Sequence, residues 1–600
     1  IKMAQPTFFL QPLAAAISLA CFSTVSFAAQ LEHSTTRLAP IVVNAQLDHD
    51  ANGLILHADP KQPIQPVPAT DGADYLQSIP GFSSIKSGGT NGDVTFRGMF
   101  GSRIKILSDG TENLGACPAR MDAPTSYIQP ESYDRISVVK GPQTVQYANT
   151  GSAATVIFER KKPQLSNDKN YLGQASVLIG SFGRLDHNIE TAVGDEKKYI
   201  RLNANHSESN SYEDGDGNTV PSAWKRWNTD LALGWTPDED TWIELTGGKA
   251  DGEAEYAGRS MDGSQFARES LGLRFEKKNL TDVIKKIEGQ INYSYNDHVM
   301  DNFSLRTPPM THDMTTHQMV PNPSEMQVTR RTLNSRLAMT SEWDKLSLIT
   351  GIDSQQNHHA GSMKSMMMNM PLATNMKFHS YGAFGELTYQ FNDAYKLVTG
   401  ARIDQVKIDA LQLNDERKET LPSAFIRLEN QYPEHNAKSY IGLGYVERVP
   451  DYWELFSTAH GNTGMSKPPF NDLNTEKTLQ LDMGYQQEHG ALNTWVSAYA
   501  GLVNDFILLS YHNHPTTEMG GHSHGSSFSA GAKNVDAVIA GAEAGIGYQF
   551  IDAIQADIST MYAWGEISDN NDPLPQIGPL EGRFNLRYVQ DKYSLGLLWR

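Results

Sequence analysis

Alternation of apolar and polar residues with a period of two dominates the chain after residue 165. Apolar or small residues fall on every second position from Tyr381 to Phe391, from Leu479 to Tyr485 and from Ala540 to Phe550. The positions between them are mostly polar or small. Such segments of about ten residues are typical of β-strands with one apolar and one hydrated face. The pattern predicts a large antiparallel β-structure over residues 164–600.

The connections between these strands favour a membrane barrel over a soluble sandwich. Short polar turns alternate with long connections along the chain. Examples of the short turns are Asp195-Glu196, Asp344-Lys345 and Asn392-Asp393. The long connections cover roughly residues 205–225, 298–328, 354–377, 447–475 and 505–533. Outer-membrane barrels have short turns on the periplasmic side and long loops outside the cell. We therefore expect an outer-membrane barrel.

Residues 70–163 have a different pattern, in which glycines separate short apolar pieces. Arg103 to Leu107 and Ile136 to Val139 are two such pieces, and Ala73 to Ser78 fits a helical turn. This region is predicted to be a compact α+β domain. Its glycines lack the spacing that cradles a phosphate, so we expect no nucleotide site.

The N-terminal 28 residues resemble an export signal. Lys2 precedes an apolar run from Phe8 to Ala20, and Ser26 and Ala28 offer a small-residue cleavage site. A buried helix is the alternative interpretation. Cleavage near Ala28 would remove Cys21 and leave Cys117 as the only cysteine. A lone exported thiol is a liability unless it is buried or bound.

Residues 29–69 are predicted to be an extended segment followed by a spacer. Leu38 to Ala45 is a short apolar stretch between polar residues. It could pair as an added strand with a partner protein, or it could be an ordinary first strand. Residues 59–68 contain four prolines, which favours a spacer.

Charge and composition narrow the classes of partner. The formal net charge is -19, which argues against nucleic acid as a partner. Only 39% of the residues are hydrophobic, and after the N-terminus there is no apolar run long enough for a membrane helix.

Cys117 and Met121 are the first candidate ligands of a metal ion. Two soft donors four residues apart can converge on one soft metal from a helical turn or a tight loop. The alternative is that both side chains only fill space in a core.

The region richest in histidine and methionine supplies further donors. Residues 310–319 contain two His-x-Met pairs, His312 with Met314 and His317 with Met319. Thiolate, thioether and imidazole ligands together select copper, particularly Cu(I). The sequence does not decide which pair takes part.

A methionine run gives a second group of soft donors. Twelve of the twenty methionines lie between Met300 and Met376, and they include Met366, Met367, Met368 and Met370. We expect this run to collect copper at the surface. A surface loop with no ligand role is the alternative interpretation.

Several motifs resemble those of a known family. Asp93 to Gly98, Asp134 to Pro142 and Tyr147 to Phe158 resemble the plug domain of TonB-dependent outer-membrane receptors. Within that family, Cys117 to Pro124 resembles the copper receptors of the OprC/NosA type, in which a plug Cys-x-x-x-Met joins a barrel His-x-Met. One further segment is similar to the family's TonB box, namely Leu38, Ala39, Pro40, Ile41, Val42 and Val43.

The resemblance implies a fold, a location and a function. The family fold is an all-β transmembrane barrel of 22 antiparallel strands with an N-terminal α+β plug inside the lumen. This chain stops at Leu598-Trp599-Arg600, so either the last strands are missing here or that count is too high. The resemblance implies a receptor in the lipid of the outer membrane that imports copper ions, driven by the TonB–ExbB–ExbD complex, and not an enzyme.

Three other functions remain open at this point. A siderophore or haem receptor would share the fold and the TonB box. An outer-membrane enzyme with Cys117 as nucleophile would need a nearby base. An adhesion or phage-docking surface could coexist with transport.

Overall fold

The computed structural model describes residues 48–50, 54–61, 68–148, 151–313, 316–366, 368–456, 470–514, 527–590 and 593–600. These residues belong to one compact unit. The predicted export signal and the TonB-box segment, Leu38 to Val43, lie outside the described residues. No described helix is long and apolar enough to cross a membrane.

The plug region consists of short strands around one helix, α1 (Gly72–Leu76). Its strands are β1 (Asp48–Asp50), β2 (Ile55–Ala58), β3 (Phe82–Ile85), β4 (Asp93–Phe96), β5 (Met99–Phe100), β6 (Ile104–Ser108), β7 (Thr111–Glu112), β8 (Arg135–Lys140) and β9 (Ala154–Glu159). Short 3-10 turns cover Gly101–Arg103, Pro124–Tyr127 and Pro130–Ser132.

Six of these strands form the sheet of the plug, in the order β1-β2-β8-β9-β6-β7. The pair β6 and β9 is parallel, and the other pairs are antiparallel. Val138, Val156 and Phe158 are buried in its core. Because β2 pairs with β8, the sheet includes residues upstream of position 70, where the sequence pattern placed the start of the plug.

The remaining strands build the barrel wall and two surface hairpins. The wall strands are β10 (Tyr171–Ile179), β11 (Leu185–Gly194), β12 (Lys198–Ser209), β15 (Trp224–Trp235), β16 (Thr241–Ala254), β17 (Asp262–Lys278), β18 (Ile284–Asp301), β21 (Ser324–Trp343), β22 (Leu346–Ser365), β23 (Asn369–Gln390), β24 (Tyr395–Ala410), β25 (Asp415–Tyr432), β26 (Ala437–Arg448), β27 (Glu476–His489), β28 (Leu492–His514), β29 (Ser527–Ile551), β30 (Ile554–Ile567), β31 (Glu581–Gln590) and β32 (Tyr593–Trp599). The hairpins are β13 (Tyr212–Glu213) with β14 (Thr219–Val220), and β19 (Met310–His312) with β20 (Met319–Pro321). A short helix, α2 (Tyr452–Phe456), follows β26, and a 3-10 turn covers Pro433–His435.

Each wall strand pairs with the next one along the chain, which gives a sheet of 19 antiparallel strands within the described residues. The predicted alternation is confirmed on β25, where Leu421 and Phe425 are buried while Ile426 and Leu428 are exposed. The exposed apolar side chains face lipid, and the buried ones face the lumen and the plug. The structure is therefore a β-barrel with an α+β plug.

The connections predicted at 298–328 and 354–377 are shorter than expected. β18 continues to Asp301 and β21 begins at Ser324. β22 ends at Ser365 and β23 begins at Asn369, so only residues 366–368 connect them. Strands of 20 and 22 residues are about twice as long as a membrane crossing needs, so they continue beyond the bilayer. The polar residues of these extensions resemble a loop in the sequence, although their backbones remain paired.

Buried ion pairs hold the plug against the wall. Arg97 Nε donates to Glu543 Oε1 at 2.8 Å, and Lys140 Nζ donates to the other oxygen of this carboxylate at 2.6 Å. Arg97 also pairs with Asp482 at 3.2 Å. Arg97 and Lys140 belong to the plug, whereas Glu543 and Asp482 belong to the wall. These contacts fix how the plug is seated, and hence which wall residues face Cys117.

Candidate metal centre

A tight loop of the plug presents Cys117 to the barrel wall. The carboxylate of Asp122 accepts the backbone N–H groups of Ala116, at 2.7 Å, and of Cys117, at 2.8 Å. Tyr127 donates its hydroxyl to the same carboxylate at 2.8 Å. A Cβ atom on Gly115 would lie 2.0 Å from the carbonyl oxygen of Asp122, so only glycine lets the loop close this tightly.

Met121 is held at the other end of this loop by a residue of the connection between β16 and β17. Tyr256 donates its hydroxyl to the Met121 carbonyl at 2.8 Å and accepts a bond from Asn91 at 2.9 Å. Cys117 and Met121 are both buried and belong to one apolar cluster. The structure thus brings together the two plug residues that the sequence singled out.

The wall supplies a third sulfur at this position. Cys117 Sγ lies 3.8 Å from Sδ of Met300, which is on β18 and is only 4% exposed. Trp224 and Phe266 close the cluster around these sulfurs. The site is therefore shared between the plug and the wall, and water is largely excluded from it.

Burial determines the protonation of Cys117. Burial, followed by the charge of Asp122, raises the pKa of the Cys117 thiol to about 12. A nucleophilic cysteine needs a lowered pKa, so the raised pKa of Cys117 argues against its role as the nucleophile of an enzyme. A soft metal ion would displace the thiol proton on binding.

His298 brings an imidazole into the same region. It lies two residues before Met300 on β18, is fully buried and stacks on Phe266 with ring centroids 4.6 Å apart. Its Nδ1 is 3.0 Å from the carbonyl oxygen of Gln265, which can only accept, so Nδ1 carries the proton. The lone pair is then on Nε2, which has no hydrogen-bond partner among the described residues. A neutral imidazole with one free lone pair can bind a metal ion through that nitrogen.

No group of three or more His, Cys, Asp or Glu side chains converges anywhere in the described ranges. The set around Cys117 has only one cysteine and one histidine, and its other donors are the thioethers of Met121 and Met300. The cluster offers few oxygen ligands to a hard metal ion, whereas it offers three sulfur atoms to a soft one.

The structure places the His-x-Met pairs of residues 310–319 elsewhere. His312 and His317 are exposed on the β19–β20 hairpin, with ring centroids 5.8 Å apart, and Met319 is 57% exposed. Met314 lies outside the described residues. The described members of both pairs form an exposed group, separate from the buried cluster of Cys117. That they ligate copper stays a prediction, and the structure does not bring them to Cys117.

The methionine run also lies at the surface. Met366 and Met368 are 55% and 45% exposed, Met370 is 46% exposed, and Met367 lies outside the described residues. These side chains are accessible from outside the cell, as a collecting role requires. That role itself stays a prediction.

Cross-strand pairing connects this run to the buried site. Met300 pairs directly with Met326 on β21, and Met326 pairs with Met363 on β22. Met363 in turn pairs with Met370 on β23. We call these four residues the methionine ladder. Directly opposed residues share one face of a sheet, with Cβ atoms about 5 Å apart. Met326 also packs against the Cys117 cluster.

His298 and Met300 are the residues that sequence reasoning missed. They form a third His-x-Met pair, which was available in the sequence. The two pairs in residues 310–319 are more conspicuous, because they stand in a region rich in methionine. A period of two on a strand places both side chains on one face, and this would have been the signal.

Comparisons with known proteins agree with this architecture. A model of the TonB-dependent receptor plug domain matches residues 60–155, and a model of the TonB dependent receptor-like β-barrel matches residues 203–600. The solved structure of the copper transporter OprC is 47% identical, with 92% of this chain and 85% of that chain covered and a TM-score of 0.84. The FrpB iron transporter from Neisseria meningitidis, 16% identical over 90% of this chain and 85% of that chain, has a TM-score of 0.68 and shares the fold.

A hemin receptor of Yersinia pestis is 26% identical over 139 residues, or 23% of this chain. That match spans 20% of the hemin receptor, about a fifth of its length. The barrel model alone covers well over half of this chain. The chain therefore belongs to the TonB-dependent receptors, which lie in the outer membrane and work with the TonB energy-transducing system.

Proposed function

We propose that this receptor binds a copper ion at Cys117, Met121, His298 and Met300 and imports it into the periplasm. The observation that supports this most directly is the 3.8 Å approach of Cys117 Sγ to Met300 Sδ, with His298 two residues away on the same strand. Thiolate, thioether and imidazole donors in a water-poor site favour Cu(I). The similarity to the copper transporter OprC agrees with this assignment.

The methionine ladder offers a route from the surface to this site. Exposure falls from 46% at Met370 to 4% at Met300. A Cu(I) ion held weakly by thioethers can pass to the methionine on the next strand, whose Cβ atom is about 5 Å away, without becoming fully hydrated. The strong thiolate at Cys117 ends the route. The hairpin with His312, His317 and Met319 serves as a second collecting group in this proposal.

The division of the site between two parts of the molecule suggests how copper is released. Cys117 and Met121 move with the plug, whereas His298 and Met300 stay with the wall. In this proposal the TonB–ExbB–ExbD complex pulls on the TonB-box segment and displaces the plug. Such a displacement separates the donors into two pairs, and each pair binds copper less tightly than the complete set does.

Metal analysis of the purified receptor and of a Cys117→Ser variant tests the proposal. The wild type is expected to hold one copper per chain against a chromogenic Cu(I) chelator, and the variant to lose it. Ser102→Ala, another small change in the plug, is a control that should keep copper. Equal and weak binding by all three proteins would refute the copper site.

A siderophore or haem receptor is the competing function. The hemin receptor match gives it a specific basis, although that match covers less than a quarter of the chain. Uptake of an iron chelate or of haem should not depend on Cys117. Growth of the Cys117→Ser strain on these iron sources, compared with its copper content, separates the two functions.

A further inference from the structure

A row of basic side chains crosses the outer surface of the barrel wall. Arg331 on β21 pairs directly with His358 on β22, and His358 pairs with Lys377 on β23. In the adjacent row, His379 pairs with Lys407 on β24. We call these five residues the basic row. They are on the opposite face of the wall from buried residues such as Arg330 and His359.

Few negative charges offset the basic row. Within the described part of the chain, neither Arg331 nor Lys377 forms an ion pair with a carboxylate. Asp409 is the cross-strand partner of Lys377, but its carboxylate pairs with Lys407 at 2.8 Å. His358 and His379 are 5.7 Å apart between ring centroids. Arg331 and Lys377 are therefore two permanent cations without a matching anion, and the two imidazoles lie beside them.

The row lies at the outer boundary of the membrane. β22 enters the apolar band near Leu346, beside the exposed Trp343, and His358 follows twelve residues later. At about 3.3 Å per residue and a tilt of about 40°, this strand rises roughly 30 Å along the membrane normal. The apolar band of such barrels is about 25 Å tall. The basic row is thus level with the lipid headgroups on the side of the long loops.

An apolar groove runs along the wall below the row. It is lined by Ile291, Leu337, Ile352 and Tyr381, whose side chains are 51% to 59% exposed. On β21 Leu337 comes six residues after Arg331, and on β22 Ile352 comes six residues before His358, so both lie on the periplasmic side of the row. An acyl chain in the groove would therefore carry its headgroup toward the row. Cations above an apolar groove match a lipid with a phosphorylated headgroup.

We propose that the basic row and this groove bind one lipid A moiety of lipopolysaccharide, with a phosphate against Arg331 and Lys377. Arg and Lys bind phosphate groups through charge-assisted hydrogen bonds. The outer leaflet of a Gram-negative outer membrane consists largely of this phosphorylated glycolipid. The site is outside the lumen, and it is independent of the copper site.

Native mass spectrometry of the full-length receptor in detergent, titrated with bisphosphorylated lipid A, tests this inference. The wild type is expected to bind one lipid A, and an Arg331→Gln/Lys377→Gln double variant to bind it at least tenfold more weakly. Lys249→Gln is the matched control, because Lys249 is also exposed on the wall but pairs with Glu269 at 3.1 Å. This control should bind like the wild type.

Two further ligands identify the source of the phosphate. Monophosphorylated lipid A should bind more weakly than the bisphosphorylated form, and inorganic phosphate should not compete. Equal affinity of the wild type and the double variant, or full competition by inorganic phosphate, would overturn the proposal. Thermal unfolding followed by circular dichroism reports the folding of each variant and should be unchanged, so this test does not depend on the copper site.

Discussion

The position of one proton on His298 decides whether its ring can bind a metal ion. The Gln265 carbonyl accepts from Nδ1 and thereby leaves the lone pair on Nε2. This carbonyl belongs to β17, the strand next to β18, so the barrel sheet itself orients the imidazole ring. Second contacts of this kind commonly fix both the tautomer and the direction of a metal-binding histidine.

Replacing Met300 by leucine removes the thioether sulfur but keeps most of the packing of the side chain. The two side chains have similar volumes, so Met300→Leu should change the free energy of unfolding by less than about 1.5 kcal/mol. Copper affinity should fall at least tenfold, because one of the soft donors is gone. Competition with a Cu(I) chelator measures this loss.

Two controls show whether the effect of Met300→Leu is specific. Met561→Leu changes another buried methionine, which is on β30, and should keep the affinity of the wild type. His312→Ala should also keep the tight site, because His312 is exposed on the β19–β20 hairpin. Loss of tight copper binding in His312→Ala, with none in Met300→Leu, would return the ligand role to residues 310–319.

At the scale of strands, the sequence predicted more of the fold than of the site. Alternation on β23, β27 and β29 was enough to identify wall strands, because each residue's face depends only on its local position. The nearness of Cys117 and Met121 was also predictable, since they lie on one local loop. Met300 was not paired with them, because its contact with Cys117 spans 183 residues and depends on how the plug is seated. Local patterns contain no information about that seating.

The methionine ladder should act on the rate of copper loading. Met363→Leu combined with Met370→Leu removes its two outer thioethers and leaves Met300 and Cys117 in place. Loading with Cu(I) should become several-fold slower, while the final stoichiometry and affinity stay unchanged. Stopped-flow transfer from a weak Cu(I) donor measures the rate.

Met310→Leu combined with Met319→Leu is the matched control for the ladder. These methionines are 52% and 57% exposed, but they lie on the β19–β20 hairpin outside the ladder. A smaller effect of this pair supports transfer along the wall. Equal slowing by both pairs would mean that thioethers collect copper without a defined route.

At the scale of the whole molecule, buried charges of the plug pair with buried charges of the barrel wall and hold the two parts together. Burial alone would lower the pKa of Arg97, but the charges of Glu543 and Asp482 raise it above its ordinary value. Arg97 therefore remains a cation inside the lumen, whereas burial lowers the pKa of Lys140 although the charge of Glu543 opposes this. Removing one partner of such a buried pair is costly, because the remaining charge is neither hydrated nor paired. These ion pairs hold the plug against the wall in the resting receptor. The plug is no longer held by them once the pairs separate.

Glu543→Gln should weaken the attachment of the plug while the wall remains intact. Neutralising this carboxylate leaves Arg97 and Lys140 undercompensated, at a cost of about 3–5 kcal/mol. Hydrogen exchange in β8 should become faster, whereas exchange in the wall strands should stay slow. Glu269→Gln, which removes an exposed ion pair on the wall, should change neither. Because the proposed copper donors are divided between plug and wall, Glu543→Gln should also release copper faster. Faster exchange in β8 without faster release would mean that the plug loosens without separating Cys117 from Met300.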